Sequence, residues 1–170
     1  HSGPKCHFVS NVDGAQIHDI LKNLNPKTTL IIVASKTFTT TETMTNARTA
    51  LSWMSREVPN PTNQFVAVSN SLSNTKAFGI PKDRVFDFAD WVGGRYSIWG
   101  PIGLSLMLAI GVKNFDKFLE GAFEMDQHFM EAPAERNMAI MLALVGIWHN
   151  QICGYHTRAV LPYEQRLSKL

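Results

Sequence analysis

Hydroxyl groups gather at one place in this chain, where Ser35, Thr37, Thr39, Thr40 and Thr41 follow one another with Lys36 among them as a cation. Such a cluster suits an oxyanion if a helix starts there. The N–H groups of a first turn have no intrahelical partner and sit at the positive end of the macrodipole. Thr39 followed three residues later by Glu42 has the spacing of a capping box, which predicts a helix from about Thr40. The stretch holds no glycine and matches neither the Walker pattern nor GxGxxG. That argues against a nucleoside triphosphate or a dinucleotide and leaves a smaller phosphorylated ligand. A plain helix cap would use the same residue types.

The second stretch with chemical content is DWVGGRYSIWGPIG, Asp90 to Gly103. Gly93 and Gly94 permit positive φ and close backbone approach, and Arg95 brings a permanently charged planar donor. Its setting between Gly94 and the aromatics Tyr96 and Trp99 favours a role for that charge over a surface arginine on a turn. The histidines at 1, 7, 18, 128, 149 and 156 show none of the close spacings of a zinc or iron site, so no metal and no cofactor are expected. Cys6 and Cys153 have no CxxC partner and no secretory signal ahead of them. They read as reduced thiols of a cytosolic protein, packed as small hydrophobes.

The elements that must position these residues follow from periodicity. Leu30 to Ala34 is apolar without alternation, as in a parallel strand covered on both faces. Cys6 to Ser10, Gln64 to Ser69 and Arg84 to Phe88 are further strands, and Tyr155 to Leu161 resembles a last one. Asn11 or Asp13 can cap a helix through Ile17, Ile20, Leu21 and Leu24, which Asn25-Pro26 ends. Met44, Ala47, Leu51 and Met54 keep helical spacing up to Pro59, and Ser73 can cap a short turn that Gly79 closes. Strands alternating with helices predict βαβ units and a parallel sheet with helices on both faces. Ligands of such sheets bind outside the carboxyl ends of the strands, which puts the residues after Ala34 and after Phe88 on one rim.

Ile98 to Val112 and Met138 to Ile147 are almost continuously apolar, but each falls short of the ~20 residues that cross a bilayer, so both read as core helices or subunit contacts. Val112 to Ala132 is amphipathic, and Pro133 suits the first turn of a helix running to about Cys153. With 170 residues, 45% hydrophobic and 18% charged, the chain has the makeup of one soluble globular domain. A net charge of +2 spread along the sequence points neither to nucleic acid nor to an anionic membrane.

Five segments resemble the glucose-6-phosphate isomerase (phosphoglucose isomerase) family, whose domains have the sugar isomerase (SIS) fold. They are HFVSNVDG at 7–14, ASKTFTTTET at 34–43, DWVGGRYSIWGPIGL at 90–104, MDQHF at 125–129 and LPYEQ at 161–165. The resemblance covers the whole chain and implies an α/β fold, a three-layer αβα sandwich with a mainly parallel sheet of four to five strands. It implies that the hydroxyls of Ser35, Thr37 and Thr40 hold a sugar phosphate and that Lys36 helps through its backbone N–H. Gly94 and Arg95 would lie beside the reacting carbons, the arginine stabilising the enediolate formed as a proton moves between C1 and C2. The implied partners are glucose 6-phosphate and fructose 6-phosphate, with a homodimer in the full-length, cytoplasmic enzyme.

The family is much longer than this chain. Its GGS-type phosphate loop has no match here, and neither do its glutamate base, in a GE-rich motif, or its ring-opening histidine and lysine. Glu42, Glu57, Glu120, Glu124 and Glu164 lie outside the base motif. The expectation is therefore a single SIS domain over residues 1–170, truncated at both ends and carrying part of the phosphate site without the base. A non-catalytic phosphosugar-binding SIS module is the alternative, and Arg95 separates the two, since a sensor has no enediolate to stabilise. An interaction fragment would require neither motif.

Overall fold

The computed structural model describes residues 3–167, with the side chains of Arg95 and Arg166 outside that description. The chain divides into two compact units, His1–Asp116 and Lys117–Leu170.

In the first unit, α1 (Gly14–Leu21) starts where the Asp13 carboxylate accepts from the Ala15 N–H at 3.1 Å. Asn25-Pro26 does not end this helix; it opens a separate 3-10 turn in which the Asn25 side chain accepts from the Lys27 N–H at 2.9 Å. β1 (Ile31–Ala34) leads through the hydroxyl-rich loop into α2 (Thr41–Met54). β2 (Phe65–Val68), α3 (Leu72–Phe78) and β3 (Val85–Phe86) follow. Ser71, rather than Ser73, caps α3 through its hydroxyl, and Gly79 ends it at φ 99°.

The three strands pair in parallel in the order β1-β2-β3. Ala34 lies opposite Val68, and Val68 opposite Phe86, so the three carboxyl ends are level. Side chains alternate between faces along a strand. All four residues of β2 are buried, so the central strand is covered on both faces. β1 is an edge strand with Val33 alone buried, which corrects the expectation that Leu30 to Ala34 would be covered on both sides.

The expected count of four to five strands is likewise not met: three strands form among the described residues. Cys6 to Ser10 and Tyr155 to Leu161 carry suitable residues but have no ladder. A strand is made by its neighbour's backbone as much as by its own side chains, and a β-prone run that pairs with no neighbour stays irregular.

The core is built from Ile17 and Leu21 of α1, Met44, Ala47, Ala50 and Met54 of α2, and Val33, Phe65 and Ala67 of the sheet. Full burial of side chains such as Met54 and Phe65 stabilises by roughly 1.5–3 kcal/mol each. Phe38, from the loop after β1, joins this core: its ring meets Phe78 edge-on at 5.7 Å, and Phe78 meets Phe65 at 5.7 Å.

The apolar run after Ile98 is broken rather than continuous. Two 3-10 turns, Gly94–Ser97 and Pro101–Gly103, precede α4 (Leu104–Ile110), and Gly111 stops it. A Cβ at Gly103 would sit 2.2 Å from the Ile98 carbonyl oxygen, so only glycine permits this turn to close onto the helix start.

α5 (Val112–Glu131) runs across the division between the units, and α6 (Met138–Ile147) belongs to the second. Asn137, fully buried, caps α6 by accepting from Ile140 N–H at 3.3 Å while donating to the Phe129 carbonyl at 2.8 Å. Pro133 instead precedes a separate 3-10 turn, Ala134–Arg136, and α6 passes into a π turn, Trp148–Ile152. No residue of α4 or α6 is buried, so of the two readings of these runs, core helices or subunit contacts, the first is not met.

Candidate functional site

The loop between β1 and α2 is held in a conformation that its sequence would not choose locally. Phe38 has φ 55°, a left-handed backbone that a bulky residue adopts at a cost of order 1–3 kcal/mol, and its buried ring offsets that cost. The Ser35 hydroxyl, itself buried, accepts from the Phe38 N–H at 3.1 Å and lies 3.2 Å from the Thr40 hydroxyl. The turn thus brings Ser35 and Thr40, five residues apart, to hydrogen-bonding distance at the helix start.

The expected capping box does not form. Thr40, not Thr39, is the N-cap of α2, and its side chain makes no capping bond. The Thr39 hydroxyl pairs with that of Thr37 at 2.7 Å instead. The start of α2 is therefore left without a side-chain cap beside Ser35, Thr37, Thr39 and Thr40. This arrangement offers neutral hydroxyls and helix N–H donors to an anion, and it has no carboxylate of its own beyond Glu42 in the first helical turn.

Strand register places the second stretch on the same rim. Ser35 N–H donates to the Val68 carbonyl at 3.1 Å and Ser69 N–H to the Phe86 carbonyl at 3.0 Å, so the loops after all three strands leave side by side. After β3 the chain reaches Gly93 in extended conformation and Gly94 at φ 62°, where glycine avoids the left-handed penalty. Arg95 follows within the Gly94–Ser97 turn. The buried Ser97 closes that turn by donating its hydroxyl to the Gly94 carbonyl at 2.6 Å. The Arg95 side chain lies outside the described residues, so its expected position beside a substrate is a matter of the turn alone.

Ser35, Lys36, Thr37 and Thr40 are thus in one loop and Gly94 and Arg95 in a turn reached from the neighbouring strand end. The Lys36 ammonium is hydrogen-bonded to the Asp90 carbonyl, which ties the first loop to the approach of the second. Sequence reasoning missed the residues that support both. Ser69 donates to the Lys36 carbonyl at 3.0 Å, and Asn74 to the Thr37 carbonyl at 2.9 Å. Asn70 bonds to three residues in two segments, Lys36 in the loop after β1 and Phe88 and Asp90 in the stretch after β3. The only signal for them was the run SNSLSN after β2, whose short polar side chains favour bonds to nearby backbone. Among the described residues, no group of three or more His, Cys, Asp and Glu side chains is placed to hold a metal ion, and no helix is long and apolar enough to cross a membrane. A cavity of about 780 Å³ between α1 and α2, lined in part by Ile17, Trp53 and Arg56, shares no residue with the hydroxyl cluster.

The sequence profile described as phosphoglucose isomerase matches residues 1–170. A glucose-6-phosphate isomerase of Ruegeria pomeroyi is 68% identical over 170 residues, covering 100% of this chain and 32% of the relative. One from Cereibacter sphaeroides is 68% identical over 168 residues, covering 99% of this chain and again 32% of the relative. This chain therefore spans about a third of the length of these curated relatives. Among solved structures, a glucose-6-phosphate isomerase from Chlamydia trachomatis superposes with a TM-score of 0.84 at 31% identity, over 93% of this chain and 31% of that one. A hypothetical protein from Thermus thermophilus gives 0.73 at 25% identity, over 85% of this chain and 35% of that one. Match along the full chain, high identity and superposition agree, and the chain belongs to the phosphoglucose isomerase family.

Proposed function

We propose that this chain supplies the phosphate-binding and charge-stabilising part of a glucose-6-phosphate isomerase, which interconverts glucose 6-phosphate and fructose 6-phosphate. The observation that carries the reading is the uncapped start of α2, with Ser35, Thr37 and Thr40 around it, on the same sheet rim as the Gly94–Ser97 turn. Ser35, Thr37 and Thr40 donate to the sugar phosphate, and Lys36 contributes its backbone N–H.

In the open-chain substrate, a base removes the C2 proton of the aldose, charge develops on the enediolate oxygens, and the proton returns at C1. Arg95 meets that charge as it forms, with Gly94 allowing the substrate close to the backbone. An interaction made mainly in the transition state speeds the chemical step rather than binding alone. The base and the ring-opening groups come from other parts of a longer, homodimeric, cytoplasmic protein. Residues 1–170 form one SIS domain of it, a three-layer αβα sandwich around the parallel sheet, and alone they are inactive.

The test is a coupled assay of the full-length protein carrying this segment, using fructose 6-phosphate. Turnover that Ser35→Ala and Thr40→Ala weaken through KM supports the reading. Binding of fructose 6-phosphate without turnover would replace it with a phosphosugar-binding module.

A further inference from the structure

We infer that Asn70 is a positioning residue that sets the spacing between the phosphate loop and the turn carrying Arg95; this rests on the assignment of both to one substrate. β3 is only two residues long, so the sheet ladder stops at Phe86. Ser69 N–H to the Phe86 carbonyl, at 3.0 Å, is the last backbone bond between these strands, and from there the chain must still reach Gly94 in the right place.

Asn70 takes over where the ladder ends. Its Oδ1 accepts from the Phe88 N–H at 3.1 Å, and its Nδ2 donates to the Asp90 Oδ1 at 3.1 Å. Its own N–H donates to the carbonyl of Lys36, within the phosphate loop, at 3.0 Å. The Lys36 side chain closes the ring by donating to the Asp90 carbonyl. One half-buried residue therefore joins the loop after β1 to two points on the path from β3 to the Arg95 turn.

The chemistry also specifies asparagine. A backbone N–H must meet an acceptor and a carboxylate must meet a donor, and the carboxamide supplies one of each in a single orientation. An aspartate there would still accept from Phe88 but would set two carboxylates against each other. Ser69 cannot substitute, since its hydroxyl joins only Lys36 and Ser71.

The experiment uses the full-length protein with Asn70→Asp, the double variant Asn70→Asp with Asp90→Asn, and Ser35→Ala as a control. Kinetics with fructose 6-phosphate are read alongside Tm. The double variant reverses the direction of the 70–90 hydrogen bond while keeping an acceptor for Phe88. Asn70→Asp is expected to lower kcat about tenfold or more, because a misplacement near 1 Å can cost ~10²-fold. KM should stay within about threefold, since the phosphate groups themselves are untouched. The double variant should recover most of the lost kcat.

A kcat for Asn70→Asp within about twofold of wild type overturns the inference, whatever happens to Tm, as does a double variant no better than the single one. If Ser35→Ala raises KM while Asn70→Asp leaves kcat alone, only the positioning role falls. If Ser35→Ala leaves KM unchanged, the phosphate-loop reading falls and takes this one with it. Should Asn70→Asp fail to fold, a folded double variant with near-wild-type kcat supports the inference. Failure of both to fold overturns it in favour of a purely structural role.

Discussion

Ser35 and Thr40 sit 3.2 Å apart and are proposed to hold the same phosphate, yet the fold uses them differently, so removing each hydroxyl should give separable results. Ser35→Ala deletes an acceptor of the Phe38 N–H. Leaving a buried N–H wholly unpaired costs ~1–3 kcal/mol. The Ser35 carbonyl also accepts from that N–H, at 3.3 Å, so the cost falls toward about 1 kcal/mol. For a chain of this size that lowers Tm by ~2–4 °C. Thr40→Ala removes no such bond. Loss of an N-cap typically costs ~1 kcal/mol, but through a side-chain bond that Thr40 does not make. An exposed substitution of this kind stays within about 0.5 kcal/mol.

Both hydroxyls should matter to the ligand alike. A hydrogen bond to a charged group contributes ~1.5–3 kcal/mol, which is about tenfold or more in KM for either variant. Tm is measured on the 170-residue chain, and KM for fructose 6-phosphate on the full-length protein. The expected pattern is Ser35→Ala shifted in both quantities and Thr40→Ala in KM alone. A Thr40→Ala melt as low as that of Ser35→Ala, or an unchanged KM in both, would refute the reasoning.

Arg95→Ala in the full-length protein should lower kcat on the order of 10²-fold with little change in KM, by analogy with loss of an oxyanion donor; a rise in KM alone would make the arginine a substrate-binding residue. The 170-residue chain should melt cooperatively yet fail to convert fructose 6-phosphate, and turnover free of contaminating host enzyme would require a base within these residues. Gly103→Ala should destabilise the first unit, read as a lower Tm, because its Cβ would meet the Ile98 carbonyl at 2.2 Å; an unchanged melt would contradict that contact. Asp19 is held below its ordinary value of 3.8 by the hydrogen bond from Lys22 and then by the Lys22 charge. Any stability from the pair is thus present above the ordinary carboxylate range and lost as pH falls through the lowered value. An NMR titration of Asp19 with a midpoint at or above 3.8 would disprove the pairing.

The hydroxyl loop was legible in the sequence because its chemistry is local: residue types alone mark it, and α2 starts at Thr41, one residue from the expected place. The capping box was misread because spacing says nothing of the left-handed turn at Phe38, which is held by packing against Phe78, distant in sequence. Strand existence was legible for β1, β2 and β3, whereas Cys6 to Ser10 shows that β propensity without pairing does not make a strand. Asn70 was invisible for a related reason. Its role depends on which loops are neighbours, and that follows from register rather than from any spacing along the chain.

Because Phe38, at the centre of the hydroxyl-rich loop, is also a core residue, occupancy of the loop by the proposed ligand should be felt by amides of the sheet. Phe38 cannot leave its left-handed turn without withdrawing its ring from Phe78, which in turn packs on Phe65 at the start of β2. Opening the loop and opening the central strand are then one event in hydrogen exchange rather than two. A ligand present at about 100 times its Kd adds ~2.7 kcal/mol to the closed state. Protection of Phe65–Val68, the buried central strand, should therefore rise about 100-fold with phosphosugar.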